Sequence, residues 1–365
     1  MTSEEQPIKQ IIALAQDHWD HSGESENVRS NFHKVLLCRT PALGAEVYAS
    51  DAEEKVVCHT CKSRCCPGCG NRGTELWKRE QEAMIPNIPF VGIVFTMPNL
   101  FWPVFRDHPH LENDLPSLAA AVLRQWAWNK SRVRVFGLTI LHTFGGRLNY
   151  HPHVHMMVSA GGLNAAEAKW VKSLAFNWEE IMNLWRFAVT SYLLNAGRCG
   201  YLRKSSLHHQ FEEATLRTRK RDWNVHISER MRKKHFLGYA GRYIRRPPIS
   251  QKRILKVTAN EVVYLAKHTK TNRWAETTCT PAEFIGLLRP HVLDRYRHSM
   301  RYFGLLAPRT KSQTLSVALS LLGHAKQPKP KRQFWAHALK ERFGVDPLLD
   351  SFGNRMRWVG HRQPV

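Results

Sequence analysis

Residues 151–159 read HPHVHMMVS, and the period of that run decides how the middle of the chain folds. Side chains alternate across a strand, so His153 and His155 share one face while Val154 points to the other. Val154 can then anchor in a core while two imidazoles converge on a cation. His151 has the same parity but precedes Pro152, at the strand entrance. His142 ends the preceding apolar run, VFGLTIL (135–141), and Gly145-Gly146 supplies a turn signal between the two. In a hairpin, any register setting 142 opposite 149, 151 or 153 brings His142 to the face of His153 and His155. A two-residue turn pairs 142 with 149 and leaves it too far along the strand. A shared site therefore requires a wider loop across Phe144–Tyr150. Three imidazoles with open positions suit a catalytic divalent ion, which can polarise a phosphoryl oxygen.

Outward from this stretch, FVGIVFTM (90–97) and VRVFGLTILHT (133–143) are further strand-like runs, with a Trp-rich helical pattern, LAAAVLRQWAWNK, between them. IIALAQDHW and NFHKVLLC predict helices near the start, and ELWKREQEAM (75–84) predicts another. Long helical patterns run from Gly162 to Leu194. RILKV and VVYLAK, separated by TANE, read as a hairpin. Thr280-Pro281-Ala282-Glu283 carries the signals of a capped helix start. KQPKPKR (326–332) reads as an extended basic linker, and QFWAHALKERF after it is amphipathic. The pattern is that of an α+β fold, an antiparallel sheet flanked by helices. Its expected divisions are 1–85, helical and cysteine-rich; 86–306, carrying the sheet; and 307–365, a basic tail with an amphipathic helix.

The chain has 365 residues, 54 Lys and Arg against 30 Asp and Glu, and 43% apolar residues with 12 Trp. That apolar content excludes a disordered chain. The longest apolar run, Phe90–Met97, falls far short of the roughly 20 residues a membrane span needs. The opening MTSEEQPIKQ lacks a signal-peptide hydrophobic region, so a cytoplasmic, DNA-associated protein is expected. A formal charge of +24 points to a polyanionic partner. Between Tyr201 and Lys256 there are 16 Lys and Arg against 4 acids, so half of the excess charge sits in one segment.

Five of the eight cysteines lie in CHTCKSRCCPGCG (58–70). Where disulfides are rare, such a cluster binds metal. Cys58-x-x-Cys61 and Cys66-x-x-Cys69 are two knuckle-type pairs that can offer four thiolates to one Zn²⁺. The gap between the pairs is short, so Cys65, Cys38 and His59 stand as alternative ligands. In KKHFLGYAGRYIRRPP (233–248), Tyr239 and Tyr243 are four residues apart and share a helical face. Lys233, Lys234, Arg242, Arg245 and Arg246 surround them as candidate DNA contacts. A tyrosine ordinarily titrates near 10 and needs cations or an activated electrophile to act as a nucleophile.

Together these motifs resemble the HUH superfamily of single-strand DNA nucleases, named for His, a hydrophobic residue, His: here His153-Val154-His155. The tyrosine pair is similar to the two-tyrosine branch, and the nearest resemblance is to rolling-circle transposases of the insertion-sequence-ninety-one type, relatives of helitrons. CRTPALG, CKSRCCPGCG, VFTMPN, LHTFG, HPHVHMMVSAGG, WNVHI, GYAGRYIRRPPIS and PAEFIGLLRPHVL carry it in order, from about residue 10 to 307. One departure is that such transposases usually bear a further Cys-x-x-Cys ahead of CKSR, where this chain has YASDAEEKVV. The resemblance implies Mg²⁺ or Mn²⁺ on His153 and His155, with His142 as third ligand. It implies a structural Zn²⁺, and attack by Tyr239 and Tyr243 on single-stranded DNA to leave a 5′-phosphotyrosine link and a free 3′-OH. Element-end hairpins would be the DNA recognised. Two other readings compete: a plasmid replication initiator or relaxase, and a zinc-dependent DNA-binding regulator without catalysis. No G-x-x-x-x-G-K-[ST] phosphate loop marks a helicase.

Overall fold

A computed structural model describes residues 6–200, 211–268, 271–294, 297–331 and 333–364. The first ten residues of the basic segment, 201–210, and Arg332 of the linker lie outside the described residues. The three strand-like runs form the middle of a five-stranded antiparallel sheet whose edge strands are not among the predicted runs, in the order Met300–Phe303, Gly137–Phe144, Tyr150–Ser159, Phe90–Phe95, Val225–Ile227. Its two faces are buried differently. Val91, Ile93, Phe95, Val154, Met156 and Val158 face a core closed by the helices Leu115–Ser131 and Trp178–Arg198. Phe90, Leu138, Ile140 and Met157 face the opposite way, onto the helices Gly70–Met84 and Lys233–Ile244. Strand alternation thus sends His153 and His155 to the second face.

The expected hairpin forms with the wider loop. His142 pairs with His153, and after a bulge Phe144 pairs with Tyr150. Gly145 donates to the Asn149 carbonyl (3.0 Å) and Leu148 takes a left-handed conformation, φ 59°, to close the loop. The helical pattern after Gly162 holds only in part. Gly162–Asn164 and Trp170–Val171 are short strands, and the helix begins at Trp178, capped by Asn177. The helix predicted over 75–84 starts five residues earlier, at Gly70.

The Ile254–Val257 and Val262–Lys267 hairpin gains a third strand, Trp274–Cys279. Thr280 and Glu283 form the expected capping box on the helix Pro281–Leu288. Hairpin and helix share one apolar cluster with Ile8, Ile11, Trp19, Phe32, Cys65 and Cys66, so the N-terminal helices pack onto them. The amphipathic segment forms the helix Trp335–Phe343, and the strand Arg357–Arg362 returns to pair with Ala45–Ala49 beside the cysteines. No described helix is long and apolar enough to cross a membrane.

Candidate active site and zinc centre

Three imidazoles meet at the centre of the sheet. His142, His153 and His155 are buried, and their nearest ligand atoms lie within 4.8 Å of one another. Backbone carbonyls fix two of the rings. His153 donates through Nδ1 to the His151 carbonyl (2.7 Å), which leaves its Nε2 lone pair directed inward. His142 donates through Nε2 to the Tyr243 carbonyl (2.8 Å), leaving Nδ1 free. Such bonds hold metal-ligating histidines in one tautomer. His153 Nε2 stands 3.1 Å from His155 Nε2, and the buried Nδ1 of His155 has no hydrogen-bond partner among the described residues. Burial, then the neighbouring imidazoles, pushes His142 and His155 far below the usual histidine range. Burial likewise lowers His153 to about 3. The rings are therefore neutral at physiological pH, the form in which imidazole binds a metal. Two facing Nε2 atoms, with the third buried imidazole offering a ligand atom within 4.8 Å, fit a divalent cation.

The helix Lys233–Ile244 lies across this face. Phe236, Leu237, Ala240 and Ile244 bury into the core, and Phe236 stacks on Phe90 at 4.1 Å. The four-residue spacing then sets Tyr239 and Tyr243 side by side, ring centroids 4.9 Å apart. Tyr243 stacks on His155 at 4.0 Å and lies 5.7 Å from the His142 ring. Tyr239 sits one turn back against Gly92, where an added Cβ would stand 3.3 Å from its ring. Burial raises the Tyr239 phenol above its ordinary value, and Tyr243 adds to the rise.

The cationic candidates divide. Arg242 lies over the Tyr239 ring at 5.2 Å and Arg246 over Phe144 at 5.9 Å; both are exposed, as are Lys234 and Arg245. Lys233 points elsewhere, donating to the carbonyls of Glu82 (2.5 Å) and Ile85 (2.9 Å) at the end of the helix Gly70–Met84. Sequence reasoning missed Arg64. From inside the cysteine run it donates to the Ile244 carbonyl (2.7 Å) at the end of the tyrosine helix. With Arg246, His142, Thr143 and His291 it lines a small pocket beside the histidines. Burial, with Arg245 nearby, lowers its guanidinium to about 10. Only its place between the cysteines signalled it.

The four cysteines that the structure brings together differ from the four expected as zinc ligands. Cys38, Cys61, Cys66 and Cys69 converge, with Sγ contacts of 3.4 Å (Cys38–Cys69), 3.6 Å (Cys61–Cys69) and 3.8 Å (Cys38–Cys66). Tetrahedral Zn–S bonds of about 2.3 Å place sulfurs about 3.8 Å apart, so the set fits zinc. Cys58 is not in it: the ladder pairs it with Ala45, at the end of the strand Glu54–Cys58. Cys38, just past the helix Glu26–Leu36, takes that place. Hydrogen bonds from Cys61 and Cys66 lower Cys38 to about 7. Cys65 is a core thiol, pushed up to about 12 by burial. His59 faces Glu46 instead.

Residues 11–97 match the family "Transposase zinc-binding domain", and residues 137–314 match the family "Putative transposase". The chain is 31% identical over 358 residues to "Transposase for insertion sequence element IS801" of Pseudomonas savastanoi pv. phaseolicola, covering 94% of this chain and 86% of that protein. The chain belongs to the transposases of the insertion-sequence-ninety-one type. A second relative, "Putative transposase y4qJ" of Sinorhizobium fredii, is 27% identical over 319 residues, 83% of this chain and 80% of its own length. No solved structure matches. For such a transposase the positive charge has its partner, DNA, and the four-sulfur cluster belongs to its zinc-binding domain.

Proposed function

We propose that this transposase cleaves and rejoins single-stranded DNA at element ends by tyrosine chemistry on the histidine face of the sheet. The observation that carries this reading is the 4.0 Å stacking of Tyr243 on His155, which sets a phenol beside the three buried imidazoles. His153, His155 and His142 would hold Mg²⁺ or Mn²⁺, which when bound polarises a phosphoryl oxygen. Tyr243 presents its hydroxyl to the scissile phosphorus. The new O–P bond forms as the P–O3′ bond breaks, the phenol's proton leaves, and the departing oxygen ends as a 3′-OH. The 5′-phosphotyrosine link keeps the phosphodiester energy, so rejoining by a 3′-OH is the reverse step. Tyr239, one turn away, offers a second nucleophile for the other strand end. Arg246 and Arg242 at the rim bind flanking phosphates by charge.

Incubation with labelled single-stranded element-end DNA and Mn²⁺ should give an adduct that survives SDS. The Tyr239→Phe, Tyr243→Phe double variant should abolish it, while Tyr302→Phe should not. An undiminished adduct in the double variant would remove both residues from the chemistry.

A further inference from the structure

A third cluster of ligating side chains shares no residue with either centre. Glu46 occupies the strand Ala45–Ala49, which pairs on one side with Glu54–Cys58 and on the other with Arg357–Arg362. This register sets His361 directly opposite Glu46, and His59 follows the other strand. The donor atoms of Glu46, His59 and His361 all lie within 4.8 Å of one another.

The geometry fits coordination better than hydrogen bonding. His59 Nε2 and His361 Nδ1 stand 3.2 and 3.3 Å from the same carboxylate oxygen, Oε1 of Glu46. Charge-assisted N–H···O⁻ bonds normally close to about 2.7–2.9 Å. Tetrahedral bonds of about 2.0–2.1 Å instead put ligand atoms about 3.3–3.4 Å apart. Partners outside the set fix the donor directions. His59 gives its Nδ1 proton to the Leu43 carbonyl (3.1 Å), so in the neutral ring Nε2 turns a lone pair toward the carboxylate. Two lone pairs facing each other leave a place for a cation. Glu46 keeps its second oxygen on the Trp358 indole (2.7 Å), which directs Oε1 at the two rings. Outer hydrogen bonds to a carbonyl and from an indole are the usual supports of a ligand set.

We propose that Glu46, His59 and His361 form a separate site for a zinc-type divalent cation, its fourth position filled by water, which clasps the C-terminal strand to the zinc-binding module. Two imidazoles and one carboxylate suit zinc rather than calcium or magnesium. Two ligands come from residues 45–59 and one from residue 361, so occupation cross-links parts of the chain some 300 positions apart. The site neither uses nor requires the tyrosine chemistry proposed above.

Zinc content per chain, measured on full-length protein after Zn²⁺ loading and exhaustive dialysis, tests this. His155→Ala disables the histidine site and leaves two candidates among the described residues, the four cysteines and this cluster. It should retain two equivalents, and His155→Ala combined with His361→Gln should retain one. A single equivalent in His155→Ala, or equal contents in the two proteins, would overturn the proposal. A second readout is trypsin cleavage at Arg355, Arg357 and Arg362, followed by mass spectrometry. Added Zn²⁺ should slow it about tenfold in the wild type and leave His361→Gln unchanged. Equal rates with and without Zn²⁺ in the wild type would also overturn it.

Discussion

Single side chains at the site are distinguished by what surrounds each of them. Tyr243 touches His155, whereas Tyr239 is set back against Gly92 beneath Arg242. Tyr243→Phe should therefore lower first-strand adduct formation by at least about 100-fold, the loss expected when a nucleophile is removed. Tyr239→Phe should leave that adduct largely intact and block transfer of a second strand. Single-turnover assays on one-ended and two-ended substrates separate these outcomes, and a reversed pattern would reassign the first step to Tyr239. His291 tests the acid response of the same region. Its Nε2 donates to the Leu148 carbonyl (3.0 Å), its Nδ1 accepts from the Thr143 hydroxyl (3.0 Å), and burial lowers it to about 4. An unfolded chain takes up this proton near pH 6.5, while the folded chain resists until about 4. The unfolded state therefore binds more protons across that window, and stability falls as the pH drops through it. The loss from this one group is at most about 3 kcal/mol. Urea unfolding from pH 7 to 4 should show a shallower decline in His291→Gln than in the wild type, and equal slopes would refute the assignment.

Between elements, the cysteine-run helix Gly70–Met84 packs closely against the C-terminal end of the tyrosine helix. A Cβ at Gly70 would meet the Arg245 carbonyl oxygen at 2.8 Å, a backbone atom that cannot swing aside. At Gly73 it would meet the Arg245 guanidinium at the same distance, a group that can move. Arg64 adds a hydrogen bond to the Ile244 carbonyl, so the zinc knot holds the end of the tyrosine helix. Gly70→Ala should cost about 1–3 kcal/mol by overpacking, and should cut adduct formation more than Gly73→Ala does, with zinc content unchanged. Equal effects in chemical denaturation and in the adduct assay would argue against the contact. This docking was not legible in the sequence, because no period within either helix reports which other helix it meets. The histidine strand and the tyrosine spacing were legible, since alternation by two and by four fixes faces locally. The cysteines were legible only as a group. Cys58-x-x-Cys61 has knuckle spacing, but the strand ladder claims Cys58, and Cys38 arrives from a helix twenty residues earlier.

Over the whole molecule, the two ends of the chain share a sheet. The segment past Ala307, expected as a basic tail, supplies the strand Arg357–Arg362 to the edge of Ala45–Ala49, and buries Ala336, Leu348 and Met356 with Tyr48. Trp335 completes the contact by donating to the Tyr48 hydroxyl (3.0 Å). Pairing over so long a separation leaves no local trace in sequence, and RWVGHR, a largely exposed edge strand, has no buried face to announce it. Removing residues 345–365 should have two effects of different origin. The Tyr48 cluster would open to water, and thermal unfolding should begin at a lower temperature. Ala45–Ala49 would become an unprotected edge carrying Val47 and Tyr48, and such edges recruit other chains. The truncated protein should therefore self-associate in a concentration-dependent way under light scattering, while its four-cysteine zinc, held by residues 38–69, stays bound. If the truncated chain kept the full-length protein's state of association and its melting temperature, the strand would contribute nothing to the fold, and the assembly of the zinc module would have to be complete without it.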